Sequence, residues 1–258
     1  MKKYLHSIIL CTLPWLVAGC QSSETGQQVN FTEQEPGIDP YVTRLIVSAA
    51  YLRIDEGETA TQYLVYDRKK KIIHIINNNN KTVMQIYSKL NELQPPFPLT
   101  HTIKDLGELN DAPKVNNTIP HHRQYLTNNE LCSNVVSVDG LLSEAVQGLI
   151  EFQNILADDS ASTFYQIPAD LHKPCDISRN IFSPTRHLLH GFPIKEWRSD
   201  GYSRTLYDYK QNIATPATLF TVPKAYFSYT AQQFRDGLVD IDKRVIIEAA
   251  VPSAQKLP

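Results

Sequence analysis

Short apolar segments rich in β-branched and aromatic residues recur from residue 41 to residue 87, and they limit the fold more than any other feature of this chain. Such segments are typical of β-strands, and the connections at residues 67–70 and 77–81 are polar and short enough for hairpin turns. The four segments are residues 41–55, 62–67, 71–76 and 82–87. Their order predicts an antiparallel meander. Because these strands are apolar on both faces, we expect another part of the chain to cover the second face.

The rest of the chain combines irregular, helical and strand-like segments. Residues 91–120 contain five prolines, which favours a long loop. Asp139 is a suitable N-cap for a helix that carries apolar residues at three- and four-residue spacing and ends near residue 159. The further predicted strands are residues 121–132, 191–197, 202–210 and 217–223. A last helix or strand is expected within residues 230–250.

The amino terminus resembles a bacterial secretion signal. Two lysines precede an apolar run at residues 8–17, which is too short to span a bilayer as a permanent helix. The run ends in LVAGC at residues 16–20, which resembles the lipobox of bacterial lipoproteins, where the cysteine thiol accepts diacylglycerol. We therefore expect residues 1–19 to be a lipoprotein signal peptide and Cys20 to be lipidated. An ordinary secreted protein is the alternative.

The lipobox resemblance also predicts a location and a domain organisation. Gln21, in place of an aspartate, implies sorting to the outer membrane, where lipid on the cysteine would hold the protein facing the periplasm. Exposure on the cell surface stays open as an alternative. The polar residues after the cysteine predict a lipidated cysteine and flexible tether over residues 20–40. The folded domain is then expected over residues 41–229, and a carboxy-terminal extension over residues 230–258.

The charge balance excludes one broad class of function. The 258 residues carry 25 Lys and Arg against 27 Asp and Glu, which gives a formal net charge of −2. Proteins that bind nucleic acid usually present a basic surface, so binding of DNA or RNA is disfavoured. The hydrophobic content of 42% is sufficient for one globular domain with a core.

The cysteines indicate an oxidising compartment. Cys11 lies in the signal peptide and Cys20 is the expected lipidation site, so Cys132 and Cys175 remain as a pair. Two such cysteines in a periplasmic protein usually form a disulfide. A metal site or a catalytic thiol is the competing interpretation, but neither cysteine has a CxxC partner.

No motif indicates catalysis, a cofactor or a metal ion. The sequence contains no GxSxG elbow and no glycine-rich phosphate loop, and the pairs His121–His122 and His187–His190 lack the acidic residue of a zinc motif. We interpret these histidines as surface or structural residues and predict a non-enzymatic protein. The basic run at residues 68–71 indicates a charged hairpin tip, with contact to anionic lipid headgroups as the alternative.

The order of these segments resembles the LolA/LolB superfamily of periplasmic lipoprotein carriers. The resemblance covers roughly residues 41–225 and depends on the succession of YLRIDEG, QYLVYDRKKKIIHII, NNNNKTVMQI, a central helix, GFPI, SRTLYDYK and ALFTVPKAY. It implies an α+β fold in which a curved antiparallel β-sheet forms a half-barrel with helices packed on its concave face. It also implies an apolar cavity for acyl chains such as palmitate.

Two functions are compatible with these features. The preferred one is a membrane-anchored lipoprotein that binds a lipid or an acylated protein in the half-barrel cavity. The alternative is an envelope scaffold that binds a protein partner and has no ligand cavity. The sequence does not identify the ligand-binding residues, and a filled interior would favour the second function.

Overall fold

A computed structural model describes residues 24–89 and 93–247. The predicted signal peptide and the predicted lipidation site, Cys20, lie outside the described residues. Within the described residues, no helix is both long enough and apolar enough to cross a membrane.

Most of the described chain is β-structure. The strands are β1 Thr25–Gln34, β2 Tyr41–Ser48, β3 Tyr51–Asp55, β4 Gln62–Asp67, β5 Ile72–Asn77, β6 Thr82–Tyr87, β7 His101–Glu108, β8 His121–Thr127, β9 Glu130–Val138, β10 Phe192–Trp197, β11 Ser203–Ala214, β12 Phe227–Thr230, β13 Val239–Asp240 and β14 Val245–Ile246. The α-helices are α1 Ser143–Ala161, α2 Pro174–Ile177 and α3 Ala231–Arg235. Short 3₁₀ and π turns occupy much of the chain between α1 and β10.

Twelve of these strands form one open sheet. Its order is β12-β6-β5-β4-β3-β2-β1-β11-β10-β9-β8-β7. Neighbouring strands are antiparallel, except that β12 runs parallel to β6. The predicted meander over residues 41–87 is confirmed as β2 to β6, except that the single long strand predicted at residues 41–55 is wrong, because it folds back at residues 49–50 into β2 and β3. A second meander, β7 to β11, contains α1 between its third and fourth strands.

β1 joins the two meanders, which corrects the predicted tether over residues 20–40. Residues 25–34 are a strand that pairs with β2 on one side and β11 on the other. Val29 and Phe31 are almost completely buried beneath α1. The segment contains few apolar residues, but backbone hydrogen bonding on both edges does not depend on side chains. The folded domain therefore begins by Thr25 and not at residue 41.

The predicted half-barrel with helices on its concave face is wrong. The sheet has twelve strands and is open, and among the described helices only α1, with 19 residues, is substantial, since α2 has 4 and α3 has 5. Two segments that sequence analysis left irregular add strands to the sheet. They are β1 and β7, the latter within the proline-containing residues 91–120. The prolines flank β7 and leave its ladder free of proline.

One face of the sheet packs against α1. Gly148 lies so close to the sheet that an added Cβ would be 3.1 Å from Cγ1 of Val47, and the rings of Phe152 and Tyr66 are 6.2 Å apart. The helix begins at Ser143 and not at the predicted N-cap Asp139, because Leu142 adopts a left-handed conformation with φ 49°. The main buried residues of this core include Leu45, Leu52, Ile73, Leu141, Ala145, Leu149 and Ile155.

The second face of the first meander is covered, as expected, by residues 217–226. Phe220 stacks on Tyr51 with ring centroids 5.1 Å apart. The guanidinium of Arg53 donates a 2.7 Å hydrogen bond to the carbonyl of Leu219. This covering segment begins with a 3₁₀ turn, Ala217–Phe220, so the predicted strand at residues 217–223 is wrong. The carboxy-terminal boundary also shifts, because Ala231 of α3 packs in the main core.

A disulfide joins Cys132 to Cys175, as predicted. It links β9 to α2 and closes a loop that contains α1, with a sequence separation of 43 between the two cysteines. Because a cross-link over a loop of this size restricts the unfolded chain, its stabilising effect is about 4 kcal/mol in the chain-entropy description.

Replacing both cysteines by serine, Cys132→Ser with Cys175→Ser, should lower the free energy of unfolding by about 4 kcal/mol. Urea unfolding followed by circular dichroism measures the change. Reduction of the wild-type protein should produce the same loss, and a double variant that unfolds at the wild-type midpoint would contradict a structural role for the bridge.

An ion-pair network fixes the far end of the β2–β3 hairpin. The carboxylate of Asp55 accepts hydrogen bonds from the guanidinium of Arg44, at 2.8 and 3.0 Å, from that of Arg53 and from the N–H of Gly57. Burial alone would raise the pKa of Asp55, but these hydrogen bonds outweigh burial and lower it. The ionised carboxylate is therefore part of the fold.

Asp55→Asn should destabilise the protein by about 3 kcal/mol at neutral pH, because it leaves two arginines without their carboxylate. The pKa of Asp55 is lowered on folding, so its stabilising effect is present above the unfolded pKa of about 3.9 and is lost as the pH falls below it. Unfolding measured across acidic pH should show the wild-type and Asp55→Asn curves converging below about pH 4. A constant separation would contradict this assignment.

Candidate functional site

A polar cleft of about 330 Å³ lies on the α1 face of the sheet. It is bounded by the carboxy-terminal half of α1, the turns at residues 179–187 and the adjoining parts of β10 and β11. We call it the arginine cleft. Its principal polar lining residues are Gln153, Asp159, Ser160, Arg179, Asn180, His187, Glu196, Arg198, Tyr202 and Arg204.

Strand alternation brings two opposite charges into this cleft. Glu196 of β10 lies two positions after Ile194, which packs against the core under α1, and it pairs directly with Arg204 of β11, so both charged side chains face the same side. On β11, Arg204 occupies the same side as Leu206, and its guanidinium lies 4.6 Å from the ring centroid of Phe31. Glu196 and Arg204 thus lie on the core-facing side of β10 and β11, next to the apolar residues of that side.

Arg204, Glu196 and His187 have unused hydrogen-bonding capacity. The closest approach between the Arg204 guanidinium and the Glu196 carboxylate is 4.0 Å, which is too long for a hydrogen bond. Their side chains are only 15% and 9% exposed. Within the described part of the chain, none of the three side chains has a hydrogen-bond partner. The Arg204 guanidinium and the Glu196 carboxylate therefore attract each other across the cleft while their hydrogen-bonding groups stay free for a ligand.

The other charged residues around the cleft are paired. Arg235 binds Asp159 through two hydrogen bonds, at 2.8 and 2.9 Å. Arg198 lies 3.3 Å from Asp200 and stacks over Tyr202, at 3.8 Å from the ring centroid. Arg179 binds Asp176 at 2.8 Å. Arg204 is thus the cation in the cleft whose nearest carboxylate, that of Glu196 at 4.0 Å, lies beyond hydrogen-bond distance.

Burial determines the protonation states of two neutral groups in the cleft. It lowers the pKa of His187, and the nearby arginines lower it further against the opposing effect of Glu196. The imidazole is thus neutral at neutral pH. Burial raises the pKa of Tyr202, whose hydroxyl donates a 3.0 Å hydrogen bond to Glu33.

The structure separates the predicted histidines. His187 lines the cleft, whereas the carbonyl of His190 accepts a 2.7 Å hydrogen bond from Ser137. His121 contacts Asp105, and His122 lies 3.2 Å from Asn134. Across residues 24–89 and 93–247, no three His, Cys, Asp or Glu side chains are grouped to hold a metal ion.

Sequence analysis missed the main residues of the cleft. The signal was present in GFPIKEW and SRTL, where Glu196 and Arg204 occupy the inward positions of alternating strands. A charged residue in an inward row indicates either an ion pair or a ligand. The sequence does not show which strand lies beside each residue, so it does not distinguish an ion pair from a ligand site.

Comparisons with known proteins identify loose structural similarity. No protein-family model and no curated protein matches this sequence. An uncharacterised conserved protein from Thermus thermophilus superposes with a TM-score of 0.42 at 8% identity, over 80% of this chain and 91% of that protein. PNGF-II, in two crystal forms, gives TM-scores of 0.40 and 0.39 at 12% and 10% identity, over 85% of this chain. This chain spans about a third of PNGF-II. These superpositions are too loose to support a functional assignment.

Arg204→Met combined with Glu196→Gln should change the free energy of unfolding by no more than about 1 kcal/mol, because the pair is removed together, the guanidinium has no hydrogen bond to lose and methionine keeps a contact with Phe31. Arg235→Met should cost about 2 kcal/mol, because it removes two charge-assisted hydrogen bonds. Urea unfolding of both variants tests this difference. Equal losses would show that Arg204 is a structural residue.

Proposed function

We propose that this protein is a lipid-anchored lipoprotein of the bacterial envelope that binds an anionic polar ligand in the arginine cleft. Attachment is through Cys20, and the protein acts as a binding protein and not as an enzyme. The observation that carries the proposal is Arg204, a largely buried guanidinium that faces the cleft with its donors unused.

The chemistry of the cleft supports an anionic ligand. Its lining includes three arginines and two carboxylates, but Arg179, Arg198 and Asp159 each have a closer partner outside this set, which leaves Arg204 and Glu196 with free hydrogen-bonding groups. A planar guanidinium binds carboxylate or phosphate groups through two parallel hydrogen bonds. The low exposure of Arg204 strengthens such a contact, since water competes less for its donors. A volume of about 330 Å³ is sufficient for a small organic anion.

The same geometry favours a polar ligand over an acyl chain. Below α1, the region that the carrier hypothesis assigned to an acyl cavity contains packed side chains such as Leu149, Phe152 and Tyr66. In the arginine cleft, an acyl chain would leave the donors of Arg204 and the carboxylate of Glu196 buried without hydrogen bonds. Burial of such charged groups is costly, and this cost disfavours an acyl ligand there.

A second candidate function is the envelope scaffold that binds a protein partner. It is supported by β7, which among the described strands ends the sheet and pairs with β8 alone. Ile103 and Leu106 on this strand are 40% and 42% exposed. A free edge of this kind accepts an extended peptide through backbone hydrogen bonds, although the bulge between Asp105 and Gly107 limits the straight part of the edge.

The scaffold function can be tested in intact cells. A photo-crosslinking amino acid at Ile103 should yield a defined protein adduct, whereas the same group at Ile38, an exposed residue remote from β7, should not. Equal labelling from both positions would show that β7 has no dedicated partner.

The cleft can be tested with inorganic phosphate and citrate as probes, by isothermal titration calorimetry. Arg204→Met should weaken binding of the preferred anion about 10- to 100-fold, since a charge-assisted contact is worth about 1.5–3 kcal/mol. Glu196→Gln should strengthen it, because it removes the negative charge beside the bound anion. Lys104→Met, at the exposed edge of the sheet, is the matched control and should leave affinity unchanged. Binding that is unaffected by both cleft substitutions would refute the cleft as the site.

The anchor is tested separately. Intact-mass measurement of the protein purified from membranes should show loss of residues 1–19 and a triacyl modification on Cys20. An unmodified Cys20 would refute the lipid anchor without affecting the binding measurements.

A further inference from the structure

In the first meander, the strand ends on one side lie close in space to the start of β1, which follows the predicted anchor in the sequence. Gly26 at the start of β1 pairs with Ser48, Tyr51 pairs with Asp67, and Ile72 pairs with Tyr87. The start of β1, the β2–β3 turn, the β4–β5 hairpin tip and the end of β6 therefore lie along one edge. We call this edge the anchor rim.

The chain is fixed to the anchor rim very close to Cys20. The carbonyl of Glu24 accepts hydrogen bonds from the N–H and the hydroxyl of Thr215, at 2.9 and 2.6 Å. Residues 21–23 are the only ones between Cys20 and Glu24. Four residue steps reach at most about 14 Å. Lipid on Cys20, which is part of the function proposed above, would therefore hold the anchor rim at the membrane surface.

A second pocket, of about 420 Å³, opens beside this rim on the face opposite α1. Lys70 of the hairpin tip and Lys224 of the covering segment lie on its sides, and Tyr51 and Phe220 form an aromatic wall. His74 lies deeper, on β5, two residues from the rim. We call it the rim pocket.

The polar groups of the rim pocket are incompletely paired. His74 is 9% exposed, and its Nδ1 atom is buried without a hydrogen-bond partner among the described residues. Lys70 is bound to Asp67 at 2.9 Å, whereas Lys224 has no carboxylate partner in the described part of the chain. The pocket thus has a net positive charge, and one of its lining side chains carries a buried nitrogen without a partner.

We propose that the rim pocket binds the phosphate group of an anionic phospholipid headgroup in the membrane that holds the anchor. Phosphate oxygens accept hydrogen bonds from the two ammonium groups and from the imidazole, while the aromatic wall contacts the glycerol portion. Lys69 and Lys71 are exposed at the same hairpin tip and add attraction to the surface. Arg68 does not take part, because its guanidinium is bound to Glu144 and Glu151 on α1.

The proposal is tested without the anchor, using residues 20–258 with Cys20→Ser, secreted behind a signal peptide that is removed independently of lipidation. Its sedimentation with vesicles of phosphatidylcholine is compared with that of vesicles that also contain phosphatidylglycerol. We expect binding to the anionic vesicles alone. Lys70→Gln with Lys224→Gln should reduce this binding about 30-fold, since each lysine near a charged surface contributes a factor of about five.

Two further variants separate a pocket from general charge. Lys104→Gln with Lys114→Gln removes the same charge from exposed positions on and after β7, at the opposite end of the sheet order, and should leave binding unchanged. His74→Gln removes no formal charge at neutral pH and should still weaken binding several-fold. Equal loss in both lysine pairs would overturn the proposal.

Competition by free inorganic phosphate distinguishes a phosphate site from a membrane site. It should compete with the vesicles only weakly, because it lacks the glycerol portion and the surface attraction. Tight binding of free phosphate with no preference for anionic vesicles would overturn the membrane assignment. These outcomes are independent of the mass of Cys20, so failure of the anchor and failure of the rim pocket are distinguishable.

Discussion

Hydrogen bonding of β1 along both of its edges is the interaction on which the rest of the structure depends. β2 to β6 and β7 to β11 are each contiguous meanders, and β1 is the strand that makes them one sheet. It pairs over nearly its whole length with both neighbours, while Val29 and Phe31 contribute to the core. Since the arginine cleft lies over β10 and β11 and α1 packs mainly on the first meander, the cleft exists only because β1 holds these parts together.

Sequence patterns predicted the local elements better than their assembly. Strands β2 to β6 and the helix near residues 139–159 were recognisable from side-chain periodicity, and the second covering layer followed from apolar residues on both faces. β1 and β7 were missed because they pair mainly through the backbone and carry polar side chains. The fold that the resemblance to lipoprotein carriers implied is wrong for the same reason, since the two missed strands belong to an open twelve-stranded sheet.

The candidate sites show a similar division. The pair Cys132–Cys175 was predictable because only two cysteines remained for a disulfide. Arg204 and Glu196 were not, because their importance depends on a 4.0 Å separation and on burial by α1 and the turns after α2. Elsewhere in the fold, partly buried charged groups such as Asp55 and Arg235 form hydrogen-bonded ion pairs. The free donors of Arg204 stand out only by comparison with these pairs.

The position of β1 has a mechanical consequence. A force applied to the chain before Thr25 acts along the axis of a strand that is bonded to antiparallel neighbours on both sides. This force shears both ladders, so many hydrogen bonds must break at the same time. A force perpendicular to a strand would instead break them one after another. A protein held at this end therefore resists unfolding by a pull on its amino terminus far better than one held by a strand at the edge of the sheet.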